Sequence, residues 1–162
     1  RGAFLAVQQA WTDGDLERLR PLESRALWST HRYWLERYAR AGLRNVLEGV
    51  KVERVQPVRY ELDPFYESVT VRIFAKMLDT TQAGDGRIVS GQPDVPRRFS
   101  EYWTFIAAIG TVPGEDVKEC PACGAPMTIA EAGRCTHCDA LVRAGRFDWV
   151  LSRIEQDEAY VG

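Results

Sequence analysis

In Val69-Thr70-Val71-Arg72-Ile73-Phe74-Ala75-Lys76-Met77, the residues Val69, Val71, Ile73, Ala75 and Met77 alternate with Thr70, Arg72 and Lys76. A period of two, rich in β-branched residues, predicts a strand with one face on a core and one toward solvent. The same period surrounds it. Val50 and Val52, then Val58, Tyr60 and Leu62, predict a preceding strand from about Gly49, which Pro57 should bend or confine to a sheet edge. Asp63-Pro64 turns the chain between the two. Beyond Met77, Gly84-Asp85-Gly86 signals a hairpin within a Pro/Gly-rich return over residues 79–96. Phe99, Trp103, Phe105, Ala107 and Ile109 then share one face of a third strand, with Glu101 in the same phase. Phe147-Asp148-Trp149-Val150-Leu151 resumes the pattern and ends near Ile154. A strand so apolar has to return to the sheet, which makes four antiparallel strands.

Before Gly49 the period is 3.6. Phe4, Val7 and Trp11 predict a helix over 3–11, broken by Thr12-Asp13-Gly14-Asp15. Asp15 suits the cap of a short helix over 16–20, with Leu16 and Leu19 inward. Pro21 suits the first turn of a third helix running to about Ala41, where Gly42 stops it. Its inward stripe is Leu27, His31, Trp34, Leu35 and Tyr38. On that stripe His31 reads as a core histidine satisfied by one hydrogen bond. The tryptophans Trp11, Trp28, Trp34, Trp103 and Trp149 all read as core, with one or two free to edge a pocket or partner surface. The fold class is therefore α+β, with three N-terminal helices on a four-stranded antiparallel sheet.

All four cysteines lie in nineteen residues: Cys120-Pro121-Ala122-Cys123-Gly124, then Cys135-Thr136-His137-Cys138. Two Cys-x-x-Cys turns at this separation have the form of a structural zinc ribbon holding one Zn²⁺ through four thiolates. Gly124 suits the positive φ such a turn needs, and Asp139 tolerates it in the second. Two disulfides are the competing reading, but a chain of 162 residues needs no such staples. His137 could replace one cysteine, although it sits inside its turn. Four thiolates close the coordination sphere, so the metal would be structural. The ribbon falls between the third and fourth strands. The chain then divides into 1–114 (helices and three strands), 115–144 (inserted ribbon) and 145–162 (last strand and tail).

The chain has 45% hydrophobic and 27% charged residues and a net charge of −2. That balance suits a soluble, cored domain and gives no basic footprint for nucleic acid. Five acids against three bases between Glu115 and Arg143 oppose phosphate contact by the ribbon in particular. No apolar run in these 162 residues is long enough to span a bilayer, and none shows the pattern of a signal peptide. The chain begins at Arg1 rather than Met, which is read as an N-terminal region lying outside it. Four metal-ready thiols favour a reducing compartment.

Two clusters carry chemistry. Residues 16–44 hold seven arginines against three glutamates, a net of +4. Arg25, Arg32, Arg37 and Arg40 among them could meet an anionic membrane or an acidic partner. Alternatively they form a solvated helix face with pairs such as Glu36–Arg40. The second cluster is Glu101 with Tyr102 and Trp103, a possible pocket in which Glu101 would serve as general acid or base. Its competing reading is structural pairing across the sheet.

Three further runs carry a resemblance. Gln9-Ala10-Trp11-Thr12-Asp13-Gly14-Asp15-Leu16-Glu17-Arg18-Leu19-Arg20-Pro21, Gly42-Leu43-Arg44-Asn45-Val46-Leu47 and Phe99-Ser100-Glu101-Tyr102-Trp103-Thr104-Phe105 resemble the Tim-44-like domain, over residues 3–110 and 146–155. The family belongs to the nuclear transport factor 2-like superfamily. It takes its name from a matrix-side subunit of the mitochondrial inner-membrane import translocase and has many bacterial members. The resemblance implies a strongly bent cone and a docking module, not a catalyst, recruited to a membrane or membrane complex, whose hollow sheet or ribbon would dock a protein segment or a lipid-like ligand. The ribbon is associated with bacterial relatives. The expected place is then the cytoplasmic face of a bacterial inner membrane, with an unidentified protein partner or an anionic surface. An enzyme using Glu101 and a nucleic-acid-binding ribbon are the alternatives.

Overall fold

The computed structural model describes residues 1–109, 123–126, 137–138 and 149–161. Three helices precede the sheet: α1 (Gly2–Asp13), α2 (Leu16–Leu19) and α3 (Arg25–Arg40). Gly14 ends α1 at φ 68°, a conformation that costs a Cβ-bearing residue, and its N–H caps the carbonyls of Ala10 and Trp11. The Asp15 carboxylate caps α2 by accepting from the Arg18 N–H.

Pro21 lies outside α3, contrary to the sequence reading. The helix starts at Arg25, capped by the Ser24 hydroxyl. Residues 22–24 are held elsewhere: Ser24 N–H donates to the Leu151 carbonyl and Leu151 N–H to that of Leu22. This parallel bridge onto the last strand keeps the segment extended, so the helix cannot begin earlier.

Among the described residues the sheet has five strands, not four. They are β1 (Leu43–Leu62), β2 (Tyr66–Ala83), β3 (Ile88–Gly91), β4 (Arg97–Ala108) and β5 (Val150–Gln156). The order is β1-β2-β4-β5, antiparallel throughout, with β3 added to the end of β2. The Gly84-Asp85-Gly86 hairpin is thus present, and its return is long enough to pair as a strand. Gly91 ends that pairing at φ 89°, where a Cβ would collide with the Asp79 carbonyl.

β1 begins at Leu43, earlier than the alternation suggested, because it slips register at Glu48/Lys51, Val52/Arg54 and Pro57/Arg59. Each slip reverses the phase a sequence reading relies on and bends the strand. The residues Val58, Tyr60 and Leu62, read as an apolar face, are consequently exposed. Pro57 lies on an edge strand as expected. Asp63 fixes the β1–β2 turn by accepting from the Phe65 and Tyr66 N–H groups.

The core lies between the helices and one sheet face. It joins Phe4, Val7, Ala10 and Leu19 to Ile73, Ala75, Met77, Trp103 and Leu151. Phe4 and Trp103 pack with ring centroids 4.8 Å apart. On the other face the C-terminal tail returns, and Tyr160 stacks on Tyr102 at 3.8 Å. There the Ser100 hydroxyl, and then the Arg72 guanidinium, hold the Asp157 carboxyl below its ordinary pKa. β5 pairs with β4 from Glu101↔Gln156 to Ile106↔Val150, one residue after Trp149. Phe147 and Asp148 lie outside the described residues.

Candidate functional site

α3 crosses the sheet without a single fully buried side chain. Leu27, His31, Leu35 and Tyr38 are half-buried, and Trp34 is 45% exposed. Leu35 of this stripe packs against the core, while Leu27, His31 and Trp34 roof a cleft of about 380 Å³. Its apolar lining includes Val7, Leu27, Leu47, Met77, Phe99 and Ile154. Two polar contacts tie down the N-terminal half of α3 beside this space. One anchor is the Trp28 indole N–H, which donates to the Leu16 carbonyl. Another is His31, whose Nδ1 lies 2.7 Å from Glu23 Oε1.

The cleft's polar network draws on four elements. Trp11 of α1 donates to Asn45 of β1, and Asn45 donates to the Asp79 carboxylate of β2. Arg97 of β4 completes this chain with an ion pair to Asp79 at 3.4 Å. Glu101 also lines the cleft, with Trp103 Nε1–H donating to one oxygen at 3.0 Å and Gln156 Nε2 to the other at 2.8 Å. Of the three residues read as a possible pocket, the structure places Glu101 alone on the cleft. Trp103 is wholly buried beneath it. Tyr102 belongs to the opposite sheet face, as strand alternation requires, and is packed by Tyr160 and Arg72.

The outer side of α3 is cationic and aromatic. Arg25, Arg32, Arg37 and Arg40 are all exposed. Glu36 reaches both Arg32 (3.5 Å) and Arg40 (3.0 Å), so the expected i, i+4 pair forms, but one carboxylate serves two guanidinium groups. Arg37 donates to the Tyr33 hydroxyl and lies 5.7 Å over the Trp34 ring. Tyr33 and Trp34, 53% and 45% exposed, meet edge to face. Trp34 thus stands at the lip of the cleft, within the basic face.

Glu23, Asn45, Asp79 and Arg97 were not singled out from the sequence. Glu23 is 1% exposed, an extreme rarity for a carboxylate, held there by the bridge to β5 and by His31 of α3. No local spacing rule joins a cap-region glutamate to a histidine eight positions on.

Of the four cysteines expected to form a ribbon, Cys123 and Cys138 are exposed, and Cys120 and Cys135 lie outside the described residues. Gly124 has φ 70°, the left-handed conformation a thiolate-binding turn uses. Among the described residues no three His, Cys, Asp or Glu side chains converge as a metal site. No described helix is long and apolar enough to cross a membrane. Compared with known proteins, the chain matches no curated sequence. Residues 1–112 match the model of the Tim44-like domain.

Proposed function

This chain belongs to the Tim44-like domain family, and on that footing we propose that it is a non-catalytic docking module that seats the outer face of α3 on an anionic membrane surface. Membership supports a membrane-associated docking role in general. The observation that carries the finer reading is the exposed α3 face, where four arginines surround Tyr33 and Trp34 with one glutamate to offset them. Guanidinium groups attract acidic headgroups at about 1 kcal/mol each near a charged leaflet. Exposed Tyr and Trp rings suit the polar–apolar boundary beneath those headgroups. The surface proposed is the cytoplasmic face of a bacterial inner membrane, in keeping with thiols that require a reducing compartment.

Residues 115–144 complete the proposal as an inserted ribbon, with Cys120, Cys123, Cys135 and Cys138 holding one structural zinc. The donor set is four soft thiolates, and the φ of Gly124 fits the first turn. Zinc would supply folding free energy to a segment too small to build a core, leaving the ribbon as a contact surface for a protein partner. A catalytic reading has one point in its favour: Glu101 and His31 line the same cleft. Against it, both Glu101 oxygens are engaged by neutral donors and His31 is bound to Glu23.

Co-sedimentation with vesicles containing about one third anionic lipid tests the membrane reading. The chain is expected to pellet with these vesicles at low salt and not with neutral ones. Arg32→Glu/Arg37→Glu is expected to weaken binding at least about tenfold. Equal pelleting of both proteins, or none by either, contradicts it.

A further inference from the structure

Glu23 is buried at the base of α3, and only one of its oxygens is bonded. Oε1 meets His31 Nδ1 at 2.7 Å, while Oε2 is buried and has no hydrogen-bond partner among the described residues. A buried carboxylate left half-bonded is costly and calls for an explanation. The imidazole lies between this carboxylate and the cleft. His31 is on the cleft lining, its ring is held edge to face against Trp11 at 5.2 Å, and it makes no second hydrogen bond among the described residues. With Nδ1 directed at Glu23, Nε2 is the hydrogen-bonding atom left for a ligand.

Both carboxylates that line the cleft are already engaged. Asp79 is held by Asn45 and Arg97, and Glu101 by Trp103 and Gln156. Gln8, Thr30 and Arg97 also line the cleft, the rest of the wall is hydrocarbon and aromatic, and about 380 Å³ falls at the small-ligand end of the range for such sites.

We infer that the cleft beneath α3 binds an apolar carboxylic acid, its chain against Leu27, Leu47, Met77 and Phe99 and its carboxyl on His31 Nε2. Proton accounting favours this class. When neutral His31 donates Nδ1–H to Glu23, Nε2 accepts a hydrogen bond from the acid's O–H. When that proton moves to nitrogen, Nε2–H donates to the carboxylate instead. The Glu23–His31–acid set holds the same protons in both arrangements, and the second is a charge-assisted bond. An alcohol offers only the first arrangement. A quaternary ammonium offers neither.

The test is a tryptophan-fluorescence titration of the whole chain with dodecanoate, dodecanol and dodecyltrimethylammonium, each below its micelle concentration. Dodecanoate is expected to bind at least about tenfold more tightly than dodecanol. His31→Gln is expected to bring dodecanoate down to the dodecanol level, and Arg32→Glu/Arg37→Glu to leave the dodecanoate preference in place. Equal affinities for the acid and the alcohol in the unaltered protein overturn the inference, whatever the variants do. A preference abolished by Arg32→Glu/Arg37→Glu also overturns it, because the carboxylate would then be held on the outer face of α3. The surface reading stands or falls separately, on vesicles.

Discussion

Trp103→Ala is expected to destabilise the protein by about 4 kcal/mol and lower its melting temperature by about 10 °C. Trp103 is wholly buried, packs on Phe4 at 4.8 Å and on Phe105 at 6.3 Å, and donates its indole N–H to Glu101. Alanine removes the largest side chain of the core, leaves a cavity between α1 and β4, and takes one donor from Glu101. Trp34→Ala makes the contrast, since a side chain 45% exposed at a cleft lip should cost under about 1 kcal/mol. Denaturant melts of both proteins check the pair. Similar losses for the two would show that α3 is packed as tightly as the sheet.

Replacing Cys120 and Cys135 with serine is expected to abolish zinc binding that is otherwise one ion per chain. The proposed ribbon depends on the metal, so the loss should be local and nearly complete. Limited proteolysis is expected to cut within residues 115–144 in the serine variant or after chelation, while helix and sheet signals by circular dichroism persist. The sheet should survive because β5 is fixed by its own ladder to β4 and by the bridge to residues 22–24. Fewer than about one zinc per ten chains in freshly purified protein, or global unfolding on chelation, contradicts this assignment.

Much of the sheet was legible because local period and burial agree there. From Ile73 to Met77 the alternation holds, with Ile73, Ala75 and Met77 buried as that phase requires, whereas Thr70, on the phase expected to face solvent, is buried beside Thr104. The turns at Gly14, Asp63 and Gly84–Gly86 were legible for a similar reason: each conformation is fixed by residues within the turn. β1 was misread where bulges change phase, a property of the pairing and not of the strand's own residues. The start of α3 was misread because a partner distant in sequence, Leu151, holds residues 22–24 extended.

The candidate site was half legible. Arg25, Arg32, Arg37 and Arg40 follow from composition and helical phase, and Glu101 from strand phase. Trp34 and His31 were correctly placed on one stripe, yet periodicity cannot tell a helix sealed onto a sheet from one that roofs a cleft. Glu23 was beyond reach, since its burial depends on three elements meeting: the 22–24 link, α3 and β5.

The central claim is that the outer face of α3 is the surface that meets the membrane. Fluorescence quenching by vesicles of brominated anionic lipid tests it most directly, since bromine quenches only rings that reach the acyl region. The account predicts strong quenching of the unaltered chain and loss of most of it in Trp34→Phe, with Trp103 fluorescence retained. Quenching of equal depth in Trp34→Phe, on vesicles that both proteins bind, would contradict it.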